Sequence, residues 1–364
     1  MGCRERHPRV LSYMTRTRGG EHGAVSVQVF IILVFLSAML AGGGLYLGAV
    51  SRRVSVYRER SETRDRLVSV SDEVLRALAE DPTPEADSSA DPVWRTVAGL
   101  SADGLSVTLE DVSSRINPNW AMKGLFAKTD LGALFLPGAN EDRLQQHRED
   151  TGFHLDLAAG YGEFFGADAL EKFFTPYGWA NLNVTDEFAF RALAAARTNS
   201  ITRGEAFHAK VQEALRALRI VRREELREFL GTEFDALYPV VNAEPVWNLH
   251  FLPPEILRAV LSYPEYGVEN PAAAASALGS FVKTGELGPD AIEGFLGKPR
   301  PNRLYEYLGT VTWFWKIVAA TEGMRLVTVA ARLPELSGRT TGGGGVPVQG
   351  AAPEFVIVER RFIE

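Results

Sequence analysis

Between Glu21 and Arg52 the chain carries no Asp, Glu, Lys or Arg, and this stretch lies close to its N-terminus. From Gly23 it reads GAVSVQVFIILVFLSAMLAGGGLYLGAV. About 20 apolar residues suffice for a helix to cross the hydrocarbon core of a bilayer, and this run is longer. A secretory signal peptide has an apolar part of only about 7–15 residues and closes on a small-residue cleavage site. Here no such site with a helix breaker follows. The run continues into SRRVSVYRERSETRDRLVSVSDEVLRALAE, which contains neither Gly nor Pro. One helix is therefore expected to leave the membrane unbroken and carry whatever domain lies beyond it.

The positive-inside rule leaves the orientation nearly balanced. Arg4, Arg6, Arg9, Arg16 and Arg18 precede the span, which favours a cytoplasmic N-terminus. Arg52, Arg53, Arg58 and Arg60 follow it. Size adds little, because long domains translocate largely regardless of their charge.

At 364 residues the chain has room for two or three domains. A net charge of −7 gives no basic footprint for nucleic acid. The single cysteine, Cys3, sits in the basic leader, so a processed chain would hold no thiol. Disulfides, zinc–thiolate sites and cysteine nucleophiles then drop out together.

Beyond the span, Leu67, Val70, Val74 and Leu78 recur at helical spacing with charged residues between them. This apolar face is expected to dock on a globular domain until Asp81-Pro82-Thr83-Pro84 ends the helix. EADSSADP then reads as a linker or loop. Alternation over Gly104–Asp111 suits a strand, with Val93–Leu100 a less clear partner. From Asn117 to about Tyr305 the chain is helix-rich. Its clearest helical segments are Glu187–Arg197, Arg203–Arg219, Arg223–Leu230, Pro253–Ser262, Pro271–Lys283 and Pro289–Leu296. From Leu308 strands return. GTVTWFWKIVAA, a turn at Thr321-Glu322-Gly323 and MRLVTVAARL read as a hairpin, with FVIVERRFIE as a further strand. The SGRTTGGGGVPVQG stretch between them reads as a flexible connection.

The leader RTRGGEHG followed by AVSVQVFIILVFL resembles the start of a type IV pilin-like protein. That resemblance implies cutting by a prepilin peptidase after Gly23, with Ala24 becoming the methylated first residue of a retained helix. A start at Met14 would leave a short basic leader. Shaft pilins of the family place a Glu at the fifth mature position, where its costly buried charge meets a neighbour's N-terminal ammonium. The fifth position here is Gln28. An uncharged side chain there implies a subunit with none above it, as at a filament tip.

Three further stretches, Ile116-Asn117-Pro118-Asn119, Ala180-Asn181-Leu182-Asn183 and Trp247-Asn248-Leu249-His250, carry a closer resemblance. The last two run into Val184-Thr185-Asp186-Glu187 and Leu252-Pro253-Pro254-Glu255, and Leu308-Gly309-Thr310 leads back to strands. In this order they resemble the GspK-type minor pseudopilins of type II secretion systems. The resemblance implies an α+β fold: a long transmembrane helix, then a pilin-like antiparallel sheet interrupted by a large all-helical insertion. The parts expected are a leader (1–23), the N-terminal helix (24–82), the start of the pilin-like domain (83–116), the insertion (117–305) and closing strands (306–364).

The implied role is non-enzymatic: capping the tip of a secretion pseudopilus and helping to start its assembly. It would act at the bacterial inner membrane with the globular part in the periplasm. The implied partners are other minor pseudopilins, shaft subunits and the prepilin peptidase. Rival readings are the tip subunit of a type IV pilus or competence filament, and a membrane-anchored periplasmic binding protein. The Asn-x-Asn stretches themselves read as turn and cap formers.

No catalytic pattern stands out. His7, His22, His147, His154, His208 and His250 form no HExxH, and no Gly-x-Ser-x-Gly or phosphate-binding loop occurs. His147 and His154, with Asp150 and Asp156, read as a solvated surface rather than a metal site. Gly42-Gly43-Gly44 reads as a packing or kink point in the span. Gly285-Glu286-Leu287-Gly288 lacks the spacing and the basic residues of a DNA-binding hairpin. Some relatives bind calcium, but no EF-hand-like run of Asp, Asn and Gly appears, so calcium follows from the resemblance alone and no ligands are named.

Overall fold

The computed structural model describes residues 19–363 apart from 103, 123, 285–288, 299–301 and 335–352, with the backbone alone for 19–26, 284, 289 and 290. Two compact units meet at Asp65/Arg66. Helix α1, Gly19–Ala79, is continuous through the apolar run and the charged sequence after it. In the first unit the large apolar residues from Val27 to Tyr57 are exposed. This helix is a candidate membrane span, with a mean hydropathy of 2.2 in its most apolar window. Gly42, Gly43 and Gly44 lie inside it, and a Cβ added to any of them would meet nothing.

In the second unit the end of α1 becomes an amphipathic docking helix. Leu67, Val70, Val74 and Leu78, spaced three or four apart, are all buried. They face a four-stranded sheet made of β1 (Ser106–Asp111), β6 (Phe314–Thr321), β7 (Met324–Arg332) and β8 (Phe355–Ile363). Its order is β1-β6-β7-β8 and every pairing is antiparallel. The alternate residues Val107, Leu109, Trp315, Ile317, Met324 and Leu326 share one core with the α1 stripe. Ser71, buried within that stripe, donates to the Thr328 hydroxyl at 2.9 Å. The β6–β7 hairpin closes at Glu322-Gly323, where Gly323 takes φ +86°.

Val93–Leu100, expected as a strand, is helix α2. Pro92 stands at its N-cap, and Val93 and Val97 are buried one turn apart against the α1–sheet core. The i, i+4 spacing prevailed over a composition that also suits a strand. The loop before α2 is no loose linker either, since Asp87, Ser88 and Asp91 are buried.

Between β1 and β6 the chain builds mostly helices. An aromatic core of Phe126, Tyr161, Phe164, Phe165 and Phe174 reaches to Trp247 and Tyr307. A second core lies between the helices Glu187–Thr198 and Ile201–Arg216 and the segment Leu226–Leu237. Two-residue parallel ladders join β2 (Ala180–Asn181) to β3 (Val241–Asn242) and β4 (Trp247–Asn248) to β5 (Leu308–Gly309). The helices Glu141–Thr151, Leu157–Tyr161 and Ala167–Phe173 were not apparent in the sequence. Two of them span no more than two turns, and the third is too polar to show a clear apolar period.

The helical hairpin turns at Asn199, left-handed at φ 51°, and Ser200 caps the second helix. Gly204 sits where the two helices touch: a Cβ there would lie 2.5 Å from the Arg191 carbonyl oxygen. Gly204→Leu is therefore expected to cost about 1–3 kcal/mol through overpacking. Urea unfolding of the full chain in detergent micelles checks this, and an unchanged midpoint would refute the close contact.

Candidate functional site

Gly23 and Ala24 fall within the backbone of α1, and the Ala24 side chain is not among those described. Gln28 is exposed on the same helix, five residues along from Ala24 counting both ends, in an otherwise apolar surface. A primary amide in that position can donate and accept hydrogen bonds but carries no charge.

The densest polar chemistry of the second unit lies where α1 ends. Both carboxylate oxygens of Asp87 accept from Arg332, at 2.8 and 2.9 Å, and one also accepts the Thr312 amide at 2.6 Å. Arg332 donates further to the Pro84 carbonyl at 2.8 Å. Asn248 donates to the Asp87 carbonyl at 2.8 Å and to the Thr312 hydroxyl at 3.0 Å, while its own amide reaches the Ser114 hydroxyl at 2.9 Å. Asp111 closes the network by accepting from Ser113, Ser114 and Thr312. Residues from the α1 exit, β1, the Asn248 turn, the segment leading into β6 and strand β7 are thereby tied together in the interior. Burial pushes the Asp87 carboxyl up to about 7, against the pull of Arg332 and the Thr312 amide. Burial also raises Asp111, against its serine hydrogen bonds.

Asp81, Asp87 and Asp91 bring carboxylate oxygens within 4.8 Å of one another, the one such acidic or histidine group among the described residues. They do not suit a divalent cation. Asp87 already faces the Arg332 guanidinium with both oxygens, and Asp91 accepts the Ser88 amide and hydroxyl at 2.8 and 3.0 Å. The cation of this cluster is the arginine. Nothing in the spacing of Asp87 and Arg332, far apart in sequence, foreshadowed the pair.

The Asn-x-Asn stretches are turn formers. The side-chain oxygens of Asn117, Asn181 and Asn248 each accept the amide two residues on, at 3.0, 2.7 and 2.9 Å. Asn242 and Asn302 make the same turn. Their amide groups then reach distant partners: Asn117 the Pro176 carbonyl, Asn181 the Glu244 carbonyl, and Asn183 the Glu306 carboxylate. Each motif thus pins one crossing of the helical region.

His147 and His154 do come together, their rings stacked 5.5 Å apart beside Tyr161. His147 Nδ1 lies 3.4 Å from Glu163, and His154 Nε2 meets the Thr151 hydroxyl at 2.9 Å. Asp156 caps the helix Leu157–Tyr161 and Asp150 accepts from Gln146, so the two acids are used locally. His208 packs against the Phe188 ring at 5.1 Å, tilted by 34°, and the His250 amide completes the Asn248 turn. A cleft of about 560 Å³ lies between Arg222–Glu224, Ala243–Pro245 and Asn302–Glu306. Within it Arg223 pairs with Glu244 at 3.1 Å. The Gly285–Gly288 stretch and the Gly342–Gly345 connection lie outside the described residues.

No protein-family model and no curated protein matches the chain. Among solved structures it is similar to a chain of the GspK-GspI-GspJ complex from the enterotoxigenic Escherichia coli type 2 secretion system. The identity is 14%, the match covers 84% of this chain and 99% of that one, and the TM-score is 0.29.

Proposed function

We propose that the chain is a minor pseudopilin of the GspK type, a non-enzymatic subunit that caps the tip of a type II secretion pseudopilus and helps to start its assembly. The observation that carries this reading is α1 itself. One unbroken helix, Gly19–Ala79, has an exposed apolar stretch from Val27 to Val50 and a stripe from Leu67 to Leu78 buried under an antiparallel sheet. A passive anchor has no need of such a rod, whereas a subunit that packs its helix among those of neighbours does. The helical region between β1 and β6 supports a cap, since a tip subunit has none to accommodate above it. Gln28 supports the same place, because it offers no charge to a neighbour's N-terminal ammonium. The partners on this reading are two smaller minor pseudopilins, then shaft subunits, with the globular part in the periplasm.

The test is the mature N-terminus. Mass spectrometry of the protein from producing cells should find a chain beginning at a methylated Ala24. An intact leader retaining Arg16 and Arg18 would overturn the reading. Gly23→Leu should block cutting and abolish secretion, and unchanged secretion in that variant would count equally against it.

A further inference from the structure

We propose that Arg52, Arg53 and Arg58, with Tyr57, form a collar that binds the phosphate groups of anionic phospholipids in the leaflet where the span ends. This rests on the reading of α1 as a membrane span. Ala24–Val50 measures roughly 40 Å at ~1.5 Å per residue, more than the ~30 Å of a hydrocarbon core. Val50 therefore reaches the boundary even when the helix tilts. Arg52 and Arg53 begin within about 5 Å of it along the axis, and Arg58 lies about 12 Å away. A headgroup layer is roughly 5–8 Å deep on each side, and arginine side chains reach back toward it.

Helix geometry decides what the collar fits. At ~100° per residue, Arg53 stands about 100° and Arg58 about 240° round the axis from Arg52. Charges spread round a rod do not suit a partner docking on one face. They suit a ligand present on every side, which is a lipid annulus. Arg52, Arg53 and Arg58 come before the first acid of this flank, Glu59, and residues 51–62 are all exposed. Arg58 also pairs with Glu62 at 2.8 Å, both side chains more than half exposed, an exposed pair that a phosphate can readily displace. Tyr57, 72% exposed beside Arg53, adds the ring with a polar tip that favours the interface. If the leader is cut after Gly23, its five arginines go with it. This collar then becomes the sole basic flank of the mature span.

The full chain, reconstituted in vesicles of four parts phosphatidylcholine to one part phosphatidylglycerol, should associate preferentially with spin-labelled phosphatidylglycerol over labelled phosphatidylcholine. The expected preference is roughly fivefold per arginine at low salt, falling toward parity in molar salt. R52Q/R53Q/R58Q should lose that preference down to the level the leader arginines alone supply, while still floating with the vesicles. R143Q/R203Q, altered in the second unit, should keep it. Equal association of both lipids, or an unchanged preference in the triple variant, overturns the collar alone. Displacement of the labelled lipid by millimolar inorganic phosphate would also overturn it, by making free phosphate the ligand. A wild-type chain that fails to float with the vesicles overturns the membrane reading and the collar with it.

Discussion

Asp87→Ala is expected to destabilise the second unit by about 3–5 kcal/mol, because it leaves the buried Arg332 guanidinium without its counter-charge. Asp87 is fully buried and Arg332 is 3% exposed, so water cannot replace the lost partner. The Nε of Arg332 already lacks a hydrogen-bond partner among the described residues, and the variant adds two more stranded donors. Removing both charges is a milder change. Asp87→Ala with Arg332→Met should recover more than half of the loss, since an apolar side chain fills space without needing a counter-charge. Urea unfolding of the full chain in micelles at pH 8 checks both, at a pH where the Asp87 carboxyl is ionised. If the double variant is as unstable as the single one, the cost lies in lost packing and not in the stranded charge. The pair also leaves a signature with pH. Between the ~3.9 of a free Asp side chain and about 7, the folded protein keeps a proton that the unfolded chain releases. This group's contribution is full below about pH 4 and fades as the pH rises through 7. Asp87→Ala should lack that decline.

Legibility in the sequence followed how local the determinants are. The α1 stripe, the hairpin with its Glu322-Gly323 turn and β8 were readable because period, turn chemistry and strand composition act over a few residues. α2 was misread because Val93 and Val97 satisfy a helical spacing too short to outweigh composition. The Asn turns were legible as turns, yet what their amide groups hold was not, since Asn248 reaches Asp87 across 161 positions. The same limit hid the polar junction. EADSSADP looks like a solvated linker until Arg332, Thr310 and Thr312 come from the far end of the chain to meet it. The two histidines were expected to be solvated and instead stack, because the approach of Tyr161 and the bare Gly160 beside His154 is a tertiary matter.

Trp315→Ala is expected to cost about 3–5 kcal/mol, the scale of a buried aromatic deleted from a core that closes only in part around the gap. Trp315 is fully buried near the start of β6, on the sheet face that takes the α1 stripe. Trp94 from α2 and Phe251 from the turn after Asn248 each meet its ring edge to face, at 6.2 and 5.7 Å. Each pair adds about 0.5–1.5 kcal/mol beyond burial. Trp315→Phe separates packing from hydrogen bonding. The indole Nε1 is buried without a partner among the described residues, so Phe removes an unsatisfied donor along with part of the ring. It should therefore cost no more than about 1–2 kcal/mol, well short of the Ala variant. A double-mutant cycle with Phe251→Leu should show a coupling of about 0.5–1.5 kcal/mol. Equal losses for Phe and Ala at position 315 would mean that the indole nitrogen holds the sheet through a bond its surroundings do not show. A graded loss places the stabilisation in ring packing, which is what lets one face of the sheet hold the end of α1, α2 and the Asn248 turn together.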